Sequence, residues 1–273
     1  MIIDLHAHTS NHPMHNLHVT SASIDTLEAE AKQHSISMIV LLATYFPHKK
    51  SGVHNLDMLE RIKGRPLFRM FGSLDIMNHF DSGLAELEAL AKEGEMVGIK
   101  LYPGYQGFEP SEDRLRPVYS LAEKYHLPVM LHGGEVHNCA VELAELARPM
   151  FVEKPAKEYP KVKFVVSHLA NPYFSELRGV MERCPNVFTD ISGQFYSGSA
   201  EDTEEYRQLV TSEIHQFLSG PNGYERVIFA TDFPIQSYKD SLDLVRRLRL
   251  NPEQLRKIMA KNALRVLDKT YIP

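Results

Sequence analysis

At 273 residues, 43% hydrophobic and 24% charged, the chain has a globular composition and the length of one large α/β barrel, which takes ~250 residues. A formal net charge of −5 without a dense basic patch argues against nucleic-acid binding by phosphate attraction, and the one basic run, Arg246, Arg247 and Arg249, reads as a solvated helix face. Two cysteines at no motif spacing, Cys139 and Cys184, no secretory leader and no apolar run near ~20 residues speak against a disulfide framework or a membrane protein, so a reduced, cytoplasmic setting is expected.

Short apolar, β-branched runs then alternate with amphipathic stretches. IIDLHAH (2–8) is strand-like, and SIDTLEAEAKQH (23–34) is helix-like with a serine N-cap candidate. SMIVLLA (37–43) and LFRMFGSLD (67–75) are the next two strand-like runs. DSGLAELEALAKEG (81–94) is a helix with Asp81 as cap candidate and a glycine at its end. After the run MVGIKLY (96–102) comes the helix SEDRLRPVYSLAEKYH (111–126), with Ser111 as cap candidate and Pro117 near its start. PVMLHGG (128–134) and VKFVVSH (162–168) flank residues 135–160, a stretch long enough for a helix plus an irregular piece. NPYFSELRGVMERC (171–184), NVFTDIS (186–192), SAEDTEEYRQLVTSEIHQFLSG (199–220), RVIFATD (226–232), SYKDSLDLVRRL (237–248) and PEQLRKIMAKNALRVL (252–267) complete the alternation.

The eight strand-like runs recur about once per βα unit of roughly 30 residues. They are apolar throughout, as parallel strands covered on both faces are. The expectation is an α/β protein, a single (β/α)8 TIM-barrel domain over residues 1–273. An open doubly wound sheet would want a glycine-rich turn after the first strand, and none is present.

Polar residues gather at the ends of these runs, the rim on which such barrels carry their chemistry. Alternation in the first strand puts Asp4, His6 and His8 on one face and Ile3, Leu5 and Ala7 on the other. Lys100 falls on strand 4, His132 ends strand 5, His168 ends strand 6 and Asp232 ends strand 8. One histidine at a strand end is more often a hydrogen-bonded core residue. Imidazoles and a carboxylate converging from several strands are the donor set of a borderline divalent cation such as Zn2+.

HAH at the end of strand 1, His132 in LHGG, His168 in SHL and Asp232 in TDFP resemble the amidohydrolase superfamily of metal-dependent barrels. The contexts GIKLYP, LHGG and SHL, and a terminal helix like NALRVL, resemble its amidohydrolase-2 branch, which includes aminocarboxymuconate-semialdehyde-decarboxylase-like enzymes. The resemblance covers essentially the whole chain and identifies no substrate.

The resemblance implies that His6, His8, His132 and Asp232 hold one divalent metal, with zinc the first choice. Such a metal lowers the pKa of a bound water toward ~7, and the hydroxide attacks an ester, lactone or amide carbonyl of a small molecule. Asp232 and His168 are the catalytic candidates, Asp232 as general base and His168 as polariser or proton shuttle. Lys100 and Tyr102 are candidates for substrate contact. Were Lys100 carbamylated, two ions would be expected instead of one.

Asp75, Gln194, Tyr196, His12, His15, His18, Tyr45 and His48 are rim residues of lower rank, and Asp190 faces opposite to Thr189 and Ile191 with no partner evident. Gly133 and Gly134 let backbone come close to the site. Non-oxidative decarboxylation on the same metal site is the nearest alternative. It wants a cationic clamp, for which Lys100 and Arg114 are the rim candidates, with Arg69 less well placed. A TatD- or PHP-like phosphoesterase is a further alternative, against which stand Lys100 on strand 4 and the late TDFP. A metal-free binding subunit is a third, and a homo-oligomer is compatible with all of them.

Overall fold

Eight parallel strands pair in sequence order: β1 (Ile3–Ala7), β2 (Met38–Leu42), β3 (Phe68–Gly72), β4 (Gly98–Leu101), β5 (Val129–Leu131), β6 (Phe164–Val166), β7 (Val187–Asp190) and β8 (Val227–Ile228). The computed structural model describes residues 1–10, 18, 19, 21–45, 52–137 and 140–267. The last strand returns to the first. The Leu5 amide donates to the Phe229 carbonyl at 3.4 Å, the Asp232 amide to the His6 carbonyl at 2.7 Å, and the His8 amide to the Phe233 carbonyl at 2.7 Å. Each of the eight apolar runs contains one strand, and the (β/α)8 barrel follows from their alternation with helices.

Two layers of apolar side chains hold the barrel. Leu5, Val40, Phe71, Met130, Val165 and Phe188 fill its interior, while Ile39, Met70, Leu131, Phe164 and Val187 face the helices. Ala263 and Val266 of the last helix, and Leu267 just after it, join the interior cluster and close its N-terminal end. Asn262 fastens that helix, donating through Nδ2 to the Tyr224 carbonyl at 2.7 Å and the Val227 carbonyl at 2.8 Å.

The first strand departs from strict alternation. Its register against β2 shifts between Asp4 and Ala7, and the irregularity turns the parity over. Ile3 and Leu5 join the interior, and His6 and His8 nevertheless line the cavity at the barrel mouth. Asp4 therefore does not share their face. It is fully buried and accepts from the His6 amide at 3.1 Å, the Thr231 amide at 3.1 Å and the Thr231 hydroxyl at 2.7 Å. Burial pushes its carboxyl up to about 6, and the Thr231 and His6 hydrogen bonds moderate the rise.

Helix starts follow local capping chemistry. Ser23 accepts from the Thr26 amide at 3.2 Å and opens Ile24–His34, and Ser237 accepts from the Asp240 amide at 3.1 Å and opens Tyr238–Arg247. Gly94 ends Phe80–Glu93 in the left-handed conformation, but Asp81 lies within the first turn instead of capping it. Ser111 is no cap either: its hydroxyl turns to the Glu109 carboxylate, and a 3-10 turn, Asp113–Leu115, leads into Arg116–Lys124. The helix Asn55–Ile62 has no sequence signal at its start, since His54 provides no side-chain cap. Residues 141–158 form short α and 3-10 pieces, the irregular crossover expected from their length. No helix among the described residues is long and apolar enough to cross a membrane.

Asn262→Ala would remove the side-chain donor from one buried and one part-buried carbonyl, so it is expected to lower unfolding stability by about 1–3 kcal/mol, read from the urea midpoint. A change below about 0.5 kcal/mol would mean that the anchor carries no weight.

Candidate active site

The barrel mouth encloses a cavity of about 680 Å³ lined by His6, His8, Lys100, His132, His168 and Asp232, together with Tyr102, Tyr105, Asn171, Gln194 and Tyr196. Each of the six ionisable groups comes from a strand end or the turn after it, so barrel closure alone brings them together. Two of them sit in left-handed backbone, His168 at φ 61° and Asp232 at φ 58°. Such φ values cost non-glycine residues free energy and persist where surrounding bonds fix them. The His168 amide is held by Asp190 Oδ1 at 3.0 Å and the Asp232 amide by the His6 carbonyl at 2.7 Å.

Asp232 Oδ1 stands between two imidazoles, 3.3 Å from His6 Nε2 and 3.2 Å from His8 Nε2. One donor atom from each of these three residues lies within 4.8 Å of the others. A second group, His6, His168 and Asp190, meets the same limit. That group is already a hydrogen-bonded network. Ser192 Oγ fills its centre, 3.2 Å from His6 Nδ1, 2.9 Å from His168 Nδ1 and 2.5 Å from Asp190 Oδ1.

The amidohydrolase-2 family model, described as amidohydrolase, matches residues 3–269. This chain belongs to the amidohydrolase-2 family. It is thus an enzyme of a superfamily of metal-dependent hydrolases and decarboxylases, and the resemblance read from HAH, LHGG, SHL and TDFP holds. No curated protein sequence matches. Among solved structures, a probable 2-pyrone-4,6-dicarboxylic acid hydrolase from Acinetobacter baumannii with citric acid bound is 16% identical, with TM-score 0.69, over 97% of this chain and 98% of the other. An amidohydrolase from Burkholderia multivorans with bound zinc is 12% identical, with TM-score 0.72, over 97% and 98%. A dihydroxybenzoic acid decarboxylase from Polaromonas sp. JS666 with bound manganese and 2-nitroresorcinol is 14% identical, with TM-score 0.66, over 97% and 96%. At these identities the likeness shows the shared barrel.

The donor chemistry of this amidohydrolase fits a divalent cation. His6 is buried, and although burial and Lys100 oppose its protonation, hydrogen bonds to Asp190 and Asp232 raise its pKa. Burial also opposes ionisation of Asp232, but His6 and His8 hold its carboxyl well below the usual carboxylate range. The His6 Nε2 proton therefore occupies the place that a cation would take. Burial lowers the pKa of His8 against the pull of Asp232, pushes His168 down to about 4, and brings Lys100 to about 8 despite Asp190 and Asp232.

His132 lies in the same cavity but outside the three-donor cluster. Its Nε2 donates to the Glu135 carbonyl at 2.9 Å, and its ring packs against Tyr105 and His168 with centroids 4.8 and 5.1 Å away. Burial first, then His168 and Lys100, keep it well below the ordinary imidazole pKa. Lys100 is fully buried and donates to Ser167 Oγ at 2.8 Å. The Tyr102 hydroxyl donates to the Ala43 carbonyl at 2.8 Å, which leaves its ring as the surface facing the cavity.

Gln194 and Tyr196 line the cavity, while Asp75, Tyr45 and His54 line a separate one of about 330 Å³. His18 sits against the Phe233 ring, and His12, His15, His48 and Cys139 lie outside the described residues. Arg114 is tied to Glu112 at 2.6 Å, and Arg69 to the Pro66 and Phe68 carbonyls, so neither lines the cavity. The glycine expectation holds at Gly134, φ 94°, where a Cβ would stand 2.2 Å from the Asn171 carbonyl oxygen.

Adding Zn2+ to metal-free protein at neutral pH is expected to release about one proton or more, seen with a pH indicator, and metal affinity is expected to fall as pH drops, because the raised His6 pKa makes the proton a stronger competitor. Binding without proton release would place the cation elsewhere.

Proposed function

We propose that this enzyme holds one divalent cation, zinc by the donor set, through His6, His8 and Asp232, with His132 as the remaining ligand candidate. The reaction proposed is hydrolysis of an ester, lactone or amide carbonyl in a small molecule. The observation that carries this reading is Asp232 Oδ1, shared at 3.2–3.3 Å by two imidazole Nε2 atoms at the mouth of an open cavity. A bound divalent cation there would act as a Lewis acid and would acidify water.

The chain's own groups supply the rest. Asp232 is ionised at neutral pH and takes the proton of the attacking water on its carboxylate. His168 is neutral at neutral pH because burial pulls its pKa to about 4, so it is placed to take on the proton that Asp232 removed and pass it to the leaving group, an imidazolium of that low pKa being a strong donor. Tyr102, Tyr105 and Tyr196 give the substrate ring faces to lie against. Lys100 is the only fixed cation among the described lining residues, and Ser167 already engages it. A neutral carbonyl compound needs no further cationic clamp, which favours hydrolysis over decarboxylation. The family match across the barrel argues against a TatD- or PHP-like phosphoesterase.

Decarboxylation of a small carboxylated substrate is the second reading. It is favoured by the fold shared with the Polaromonas decarboxylase.

The purified protein loaded with Zn2+ or Mn2+ is to be tested on lactones, esters and amides by proton release, and on hydroxybenzoates by CO2 release. Hydrolysis is expected, with Asp232→Asn losing about 10²–10⁴-fold in turnover. His168→Asn should lose turnover with metal content nearly unchanged. CO2 release without hydrolysis moves the enzyme to the second reading, and protein that binds no metal and turns over neither class overturns both.

A further inference from the structure

The segment that ends β7 lies behind the two imidazoles, away from the cation position, and its hydrogen bonds determine where their protons sit. Asp190 is fully buried. Its Oδ1 accepts from the His168 amide at 3.0 Å, the Ser192 amide at 3.1 Å and the Ser192 hydroxyl at 2.5 Å. Its Oδ2 stands 3.2 Å from His6 Nδ1.

Ser192 Oγ has one proton, and its shortest contact is a carboxylate oxygen that can only accept. That proton goes to Asp190. Ser192 Oγ must then meet both imidazoles as an acceptor, His168 Nδ1 at 2.9 Å and His6 Nδ1 at 3.2 Å. The second neighbour of each ring nitrogen is also an acceptor: Asp190 Oδ2 for His6, and the Ser192 carbonyl at 3.1 Å for His168. Both Nδ1 atoms therefore carry hydrogen. His168 Nε2 is left with a lone pair when the ring is neutral, and His6 Nε2, 3.3 Å from Asp232 Oδ1, is the nitrogen whose proton a cation would displace.

We propose that Asp190 is a positioning residue that holds the Nδ1 hydrogen of two imidazoles at once, on His6 directly and on His168 through Ser192, so that Nε2 of each is the nitrogen left to exchange a proton or a cation at the cavity. Gly193 belongs to the same device. At φ 58° it runs so close that a Cβ would stand 2.8 Å from both Asp232 Oδ2 and His168 Nδ1. The use of those Nε2 atoms for a cation and a proton rests on the proposed function; the Nδ1 hydrogens themselves do not.

The decisive variant is Asp190→Asn. Three donors hold its Oδ1 position, so the amide oxygen stays there and the NH2 replaces Oδ2 facing His6 Nδ1. A donor at that place removes the Nδ1 hydrogen and turns His6 to the Nε2–H tautomer, whose cavity-facing nitrogen binds a cation less readily.

Metal-free protein labelled with ¹⁵N-histidine, at mildly alkaline pH, is to be read by long-range ¹H–¹⁵N spectra, and Zn2+ affinity by chelator competition. Wild type is expected to show Nδ1–H on His6 and His168. Asp190→Asn should show Nε2–H on His6, Zn2+ binding weaker by about 10–100-fold, and an apo melting curve near that of wild type. Absence of Nδ1–H from either ring in the wild type overturns the proposal, and that result does not depend on whether the variant folds. A His6 that keeps Nδ1–H in the variant also overturns it. If the tautomers behave as stated while the wild type binds no metal, the positioning role stands and the proposed function falls.

Discussion

The Asp232 backbone is fixed before its side chain does any chemistry. Its amide donates to the His6 carbonyl at 2.7 Å, and the His8 amide donates to the Phe233 carbonyl at 2.7 Å, so the barrel closes through the same residues that carry the donors. Thr231, the preceding residue, is bound to Asp4 by its amide at 3.1 Å and its hydroxyl at 2.7 Å. The seam between β8 and β1 thus sets where Asp232 Oδ1 lies relative to the two Nε2 atoms. Opening that seam would separate the three donors, so site integrity and barrel closure are one structural property.

The buried charges at the mouth are arranged in opposition. Lys100, Asp190 and His6 are almost wholly buried, and each would be costly alone. Together they form a ring of alternating sign in which His6 bridges Asp190 and Asp232, while Lys100 lies within electrostatic reach of both carboxylates. Two carboxylates against one ammonium leave room for one more positive group. In metal-free protein the raised His6 pKa supplies it, and a divalent cation would supply it in the loaded enzyme. The polar network is therefore balanced for a cation at the Nε2 side of His6, which is also the side open to the cavity.

The barrel was legible because its strands are buried on both faces and read as continuous apolar runs at βα spacing. The site was legible to the extent that HxH, Lys, His, His and Asp fall at the ends of five of those runs. Tertiary contacts with no local sequence signal were not legible. The irregularity in β1 reverses the side of Asp4, and nothing in IIDLHAH announces it. Asp190 shows its parity in the sequence but not its partner, which lies 184 positions away. His132 reads as an equal of the other histidines, whereas the Glu135 carbonyl takes its Nε2. The helix Asn55–Ile62 begins without a capping side chain, and Arg114 reaches Glu112 before it reaches the cavity.

Local conformation gives an independent indication of where function sits. Most non-glycine residues with positive φ in a protein of this kind should occur singly, at helix ends, as Ser35 does here. His168, Leu169 and Ala170 instead form a consecutive run at φ 61°, 53° and 52°, and Asp232 adds another such residue across the cavity. At about 1–3 kcal/mol each, that backbone would relax unless other bonds opposed it. The bonds that oppose it are the Asp190 carboxylate on the His168 amide and the His6 carbonyl on the Asp232 amide. The groups that strain the rim into shape are thus the same ones that orient its imidazoles. That coincidence is expected of a site in which geometry has been kept at the expense of local propensity.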